Sequence, residues 1–226
     1  MRIVCLSALA AAALPALADT PLEKALAAPT EGPSYRFDLK VDDGHFRAET
    51  QVDPSRPEGD RVMLLSPAAE DLDKEANESF ESLKEKTTGE KIWCNSFAEN
   101  IPKNAELISE SGEAAVYRFQ PIGTREDGDM AKAYKHLTGR VTVSKDKPGI
   151  LAYEMFSEKP FKPMLVAKVD SFNMKVSCDY APDGRTYVKQ MSLDLSGNAM
   201  MQPFTQSERR EISNLVALPE TAAGQR

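Results

Sequence analysis

Histidine is nearly missing from this chain, with only His45 and His136 present. That scarcity excludes a multi-histidine zinc centre. His45, beside Asp42 at a hairpin end, reads as a solvated turn residue, and His136 has the same bland reading. Cysteine is almost as rare: Cys5, Cys94 and Cys178 are all there are. Cations are outnumbered, with 28 Lys and Arg against 35 Asp and Glu and a formal net charge of -7. An acidic chain with no sizeable basic block is repelled by nucleic acid and by anionic lipid surfaces, so no nucleic-acid partner is expected. Also absent are a Gly-x-Ser-x-Gly elbow, a P-loop and a His-Glu-x-x-His helix. Carboxylates are plentiful, but no pair sits in an apolar setting that would split their pKa values. The expectation is a protein that is not an enzyme and has no cofactor and no metal.

What is present begins with a leader. Met1 to Ala18 carries one early cation, Arg2, then an Ala/Leu-rich run ending in Ala16-Leu17-Ala18, the pattern of a secretory signal peptide cleaved between Ala18 and Asp19. Pro15 and Asp19 break the run short of the ~20 apolar residues that span a bilayer, so an integral membrane protein is not expected. The expected location is periplasmic or secreted. Cys5 would leave with the leader. Cys94 and Cys178 remain, and in an oxidising compartment a disulfide is the default reading, with two inert thiols or a poor zinc site as alternatives. Residues 19–218 are read as a single β-rich domain and 219–226 as a disordered tail.

The clearest pattern runs from Met164 to Gly197, a long hairpin folded at Pro182-Asp183-Gly184-Arg185. Taking Asp183-Gly184 as a two-residue type I′ turn pairs Tyr180 with Tyr187, Cys178 with Lys189, Val176 with Met191, Met174 with Leu193 and Phe172 with Leu195 on one face. The other face pairs Asp179 with Val188, Ser177 with Gln190, Lys175 with Ser192 and Asn173 with Asp194. The first face is apolar apart from Lys189. It supplies the candidate ligand-binding residues Phe172, Met174, Val176, Lys189, Met191, Leu193 and Leu195. Methionines suit a surface that accepts variable apolar ligands, and equally they fill ordinary cores; a copper(I) site lacks a Met-x-x-Met run. Lys189 reads as a snorkelling edge lysine, a partner for a buried carboxylate, or a contact for a ligand's anionic head.

Around this hairpin the chain alternates short elements. Thr20-Pro21-Leu22-Glu23 has the form of a capping box opening a helix to about Ala28. A second hairpin turns at Asp43-Gly44, pairing Val41 with Phe46, Leu39 with Ala48, Phe37 with Thr50 and Tyr35 with Val52. Leu72, Ala76, Phe80 and Leu83 mark an amphipathic helix within Pro67 to Lys86. Asn77-Glu78-Ser79 matches a glycosylation sequon, relevant only to a eukaryotic source. Ala105 to Ser109 and Ala115 to Phe119 flank Gly112 as a hairpin, Gln120 to Asp129 reads as a loop, and Met130, Tyr134 and Leu137 as a brief helical turn. Strands from Leu137 to Val143 and Ile150 to Phe156 turn at Asp146 to Gly149. Thr205 and Glu208 suggest a capping box before a last helix carrying Ile212, Leu215 and Val216.

The segment Leu137-Thr138-Gly139-Arg140-Val141-Thr142-Val143 through Lys147-Pro148-Gly149-Ile150, with Phe161 to Val169 and Asp183-Gly184-Arg185-Thr186-Tyr187-Val188, resembles the strand phrasing of the periplasmic lipoprotein-carrier superfamily. The likeness covers about the second half of the mature chain. It implies an α+β fold, a curved, mainly antiparallel half-barrel meander with two to four covering helices over an apolar cavity. No match to the arginine on which such a carrier's lid closes is found. The functional expectation is an exported protein that binds or carries an apolar or amphipathic ligand, such as a lipid or a lipoprotein acyl chain. The alternative is a non-enzymatic envelope interaction or assembly protein with a fully packed core and a protein partner.

Overall fold

The computed structural model describes residues 19–123, 131–164 and 166–219. The expected signal peptide and most of the expected tail lie outside them. Helix α1 (Pro21–Leu26) opens as the capping box requires: Glu23 N donates to Thr20 Oγ1 at 3.2 Å, and Thr20 N donates back to Glu23 Oε2 at 2.8 Å. Leu22 and Ala25 give it a buried face.

Strands β1 (Tyr35–Asp42), β2 (Arg47–Val52) and β3 (Val62–Ser66) form an antiparallel meander. Helix α2 (Lys74–Lys86), capped by Asp73, lays Leu83 on it, with Leu72, Ala76 and Phe80 alongside. A 3-10 segment, Cys94–Asn100, leads to β4 (Glu106–Glu110) and β5 (Ala114–Phe119), the expected hairpin about Gly112. After the short helix α3 (Ala131–Tyr134) come β6 (Leu137–Ser144), β7 (Ile150–Ser157), β8 (Phe161–Met164), β9 (Ala167–Tyr180), β10 (Thr186–Ala199) and β11 (Gln202–Ala217).

All of these strands belong to one sheet in the order β3-β2-β1-β11-β10-β9-β7-β6-β5-β4, with β8 attached to β9. The fold is α+β, and the antiparallel sheet is curved and unclosed, with β3 and β4 at its edges. Two apolar clusters share its inner face. Phe119, Val141, Tyr153, Phe172 and Val176 pack under α1 and the 3-10 segment, while Phe37, Leu39, Val52 and Trp93 pack with α2. The Cys94–Cys178 disulfide, spanning 84 positions, fastens the covering segment to β9. Beside it Val188 N donates to Ile92 O at 2.8 Å, so the cover also pairs with β10.

Three expectations change. The last helix is instead strand β11, paired with both β10 and β1. Asn214, at φ 55°, interrupts its alternation, so Ile212 and Leu215 both pack into the inner cluster although three positions apart. A bulge in a strand reproduces the spacing of a helix face. Thr205 and Glu208 form no cap, since they alternate along β11 opposite Ser196 and Leu193.

The turn of the long hairpin has three residues, not two. Gly184 N donates to Ala181 O and Ala181 N to Arg185 O, with Gly184 alone at positive φ, 90°. That is a tight turn followed by a left-handed residue. The pairing near it is therefore Val188 with Cys178, one residue off the two-residue register, so Val188 joins the inner face. A bulge between Val188 and Gln190 absorbs the extra residue. From there Val176 with Met191, Met174 with Leu193 and Phe172 with Leu195 follow the expected pairing. The first hairpin turns on Gly44-His45, closed by Asp43 N to Phe46 O, and its register lies two residues from expectation, with Val41 opposite Ala48. An even shift leaves the same side chains inside.

Candidate functional site

On the inner face Phe172 and Val176 are buried, and Met174, Met191, Leu193 and Leu195 are half-buried against the same core. Lys189 is not among them. It sits at the bulge, about half-exposed, and donates from Nζ to Asp179 Oδ2 at 2.9 Å. That bond raises the lysine's pKa and lowers the carboxyl's. The expected lone charge on the apolar face is thus an exposed ion pair, because the bulge turned it outward.

Two charges of β11 do face inward. Glu208 lies opposite Leu193 and Arg210 opposite Met191, and Arg210 Nε meets Glu208 Oε1 at 2.5 Å. Reading β11 as a helix hid them. The signal was the period-two series Glu208, Arg210, Ile212.

Beneath Met191 and Arg210 the interior leaves a cavity of about 160 Å³, walled by Phe37, Leu39, Val188 and Ile212 and roofed by residues 86–92. Thr87 Oγ1 in that roof is buried without a hydrogen-bond partner. The cavity falls below the ~300 Å³ at which small-molecule pockets begin.

A larger cleft, about 950 Å³, is lined by Lys40, Asp42, Arg209 and Glu211 and also by Val41, Arg210 and two of the expected ligand residues, Val176 and Met191. Its charges are largely matched. Lys40 meets Glu49 at 2.8 Å, Arg47 meets Asp42 at 2.6 Å, Glu154 meets Arg140 at 3.1 Å, and Arg209 meets Asp194 at 3.0 Å. The bond from Arg47, aided by Gly44 N–H, holds the Asp42 carboxyl below its ordinary range, so it stays an anion and not an acid catalyst. Among the described residues no histidine or cysteine lines the cleft to serve as base or nucleophile. Among the described residues no cluster of His, Cys, Asp and Glu is placed to hold a metal ion.

No known protein family, curated protein or solved structure matches this chain.

Proposed function

We propose that the protein is a non-enzymatic interaction factor of the cell envelope, exported with its disulfide formed, whose sheet interior is filled by its own side chains. The observation that carries this reading is the packing on the long hairpin's inner face: Phe172 and Val176 are buried, and the cavity beside Val188 and Met191, about 160 Å³, suits a few waters and not an acyl chain. The disulfide is in keeping with an oxidising compartment. Recognition of a partner would fall to the outer surfaces, where matched charges such as those of the 950 Å³ cleft give specificity more than raw affinity.

The test is native mass spectrometry on protein extracted from its own envelope, joined to uptake of a fluorescent fatty acid. The expected result is a ligand-free mass, no saturable uptake, and a protein partner retained in a definite ratio. A stoichiometric lipid adduct would overturn it in favour of the second reading, a carrier of an apolar or amphipathic ligand. The observations on that side are that Met174, Met191, Leu193 and Leu195 are only half-buried and that Val176 and Met191 also line the 950 Å³ cleft, and displacement of the roof over the smaller cavity would enlarge the space beside Met191.

A further inference from the structure

The three longest strands outrun their neighbours. Pairing of β1 with β11 stops at Asp42 and Arg209, and pairing of β7 with β9 stops at Phe156 and Asn173. Beyond those points β10 pairs with β11 as far as Ala199 and Gln202 and with β9 as far as Ala167, and on its other edge β9 has only short β8. At a rise of ~3.3 Å per residue, the β11 arm reaches about 20 Å past the end of β1. Phe204 packs over Gly197, where an added Cβ would come within 2.8 Å of the ring.

Its end is apolar and bare. The β10–β11 turn exposes Met200 to 76% and Met201 to 91%, and the adjacent β8–β9 turn exposes Met164 to 49% and Val166 to 57%. Met200 N donates to Val166 O at 2.9 Å, which ties the two turns into one tip. Charge is also withdrawn. In a chain with 28% charged residues, Leu195 to Ser207 contains none, and Pro160 to Val169 contains only Lys162 and Lys168. Lys168 in turn meets Asp170 at 2.6 Å. Both turn methionines hold left-handed backbone, at φ 51° and 67°, where the fold alone would favour Asn or Gly. Side chains kept at conformational cost and left in water point to an environment outside the chain.

We propose that this tip inserts into the interfacial layer of a lipid bilayer. The composition of the tip favours a bilayer over a protein groove: four apolar side chains are exposed on two joined turns, with uncharged flanks and the exposed Lys162 beside them to meet a phosphate headgroup. The acidic body does not oppose this, because the arm holds it about 20 Å away, beyond the ~8 Å screening length of physiological salt. The inference goes beyond the envelope reading and is independent of what fills the interior.

Flotation with vesicles tests it, using phosphatidylethanolamine with phosphatidylglycerol in one arm and phosphatidylcholine in the other. The probe variant is Met200→Asn with Met201→Gly, which keeps the turn conformation while removing both side chains. Wild type should float with the anionic vesicles, less with phosphatidylcholine, and the variant should bind more weakly by about tenfold per methionine removed. Comparing the two proteins cancels any contribution of the N-terminal segment, and cooperative melting of the variant at or above the wild-type midpoint shows that it is folded. Failure of wild type to float with either vesicle, or equal flotation of the variant, overturns the proposal. So does a protein partner that wild type retains and the variant loses in the absence of vesicle binding.

Discussion

Arg185 is a cation buried at the seam between the long hairpin and the segment that follows α1. Its side chain is 5% exposed, yet its donors are met by Asp183 Oδ2 at 2.7 Å, Thr30 O at 2.7 Å and Pro33 O at 2.5 Å, and its plane lies 3.5 Å from the Trp93 ring centre. A guanidinium tolerates burial when carboxylate, carbonyls and an aromatic face replace its water. Gly32 leaves room for it, since a Cβ there would stand 2.8 Å from Cζ. At the surface single residues act differently. Arg47 holds the Asp42 carboxyl low, Lys189 that of Asp179, and Ser207 with Arg209 that of Asp194. A carboxyl whose folded pKa is depressed adds stability that is whole above its unfolded value, ~4, and is lost as pH falls through the folded value. Urea unfolding should therefore show Asp194→Asn less stable than wild type at pH 7 by up to about 1 kcal/mol, with the gap closing below pH ~4. A gap that stays constant down to acid pH would show that the ionised carboxylate contributes nothing.

Among elements, the turns decide how far local sequence determines pairing. Alternation in Phe172, Met174 and Val176 against Met191, Leu193 and Leu195 was readable because a buried face punishes an odd slip. Turn type was not readable from Asp-Gly alone. Gly44 and Gly184 each take positive φ, yet one closes a two-residue and the other a three-residue turn. The bulge that displaces Lys189 is a consequence of that difference, and no local pattern announces it. Strand β11 was misread for a related reason: its support comes from cross-strand partners such as Asp194 for Arg209 and Asp38 for Asn214, distant in sequence. The β10–β11 turn offers a test at this scale. Replacing Met200-Met201 by Asn-Gly should stabilise the protein by about 1 kcal/mol or more, because the left-handed region costs ordinary residues roughly 1–2 kcal/mol each. An unchanged urea midpoint would mean that the methionines bear no backbone strain.

For the whole molecule, the disulfide is the fastening that joins cover and sheet. Both apolar clusters end near it, with Cys94 in one and Cys178 packed against it, and with Trp93, next to Cys94, and Ala181, three residues after Cys178, in the other. Closing a loop of 84 positions restricts the unfolded chain, and its loss should cost about 2–5 kcal/mol. Cys94→Ser, Cys178→Ser and the double variant should lose the same amount, since all three remove one bond, and reductant should lower wild type to their level. Unequal single variants would show that one thiol has a further role.

The sheet also sets an order of events. Tyr35 pairs with Ala217 and Asp42 with Arg209, so among the described strands the one made first beds against the one made last. While the chain is being synthesised, β1 to β3 carry an unpaired flank for the time it takes to make well over a hundred further residues. Native closure is thereby postponed until β11 arrives, which makes slow, late folding a property of the topology.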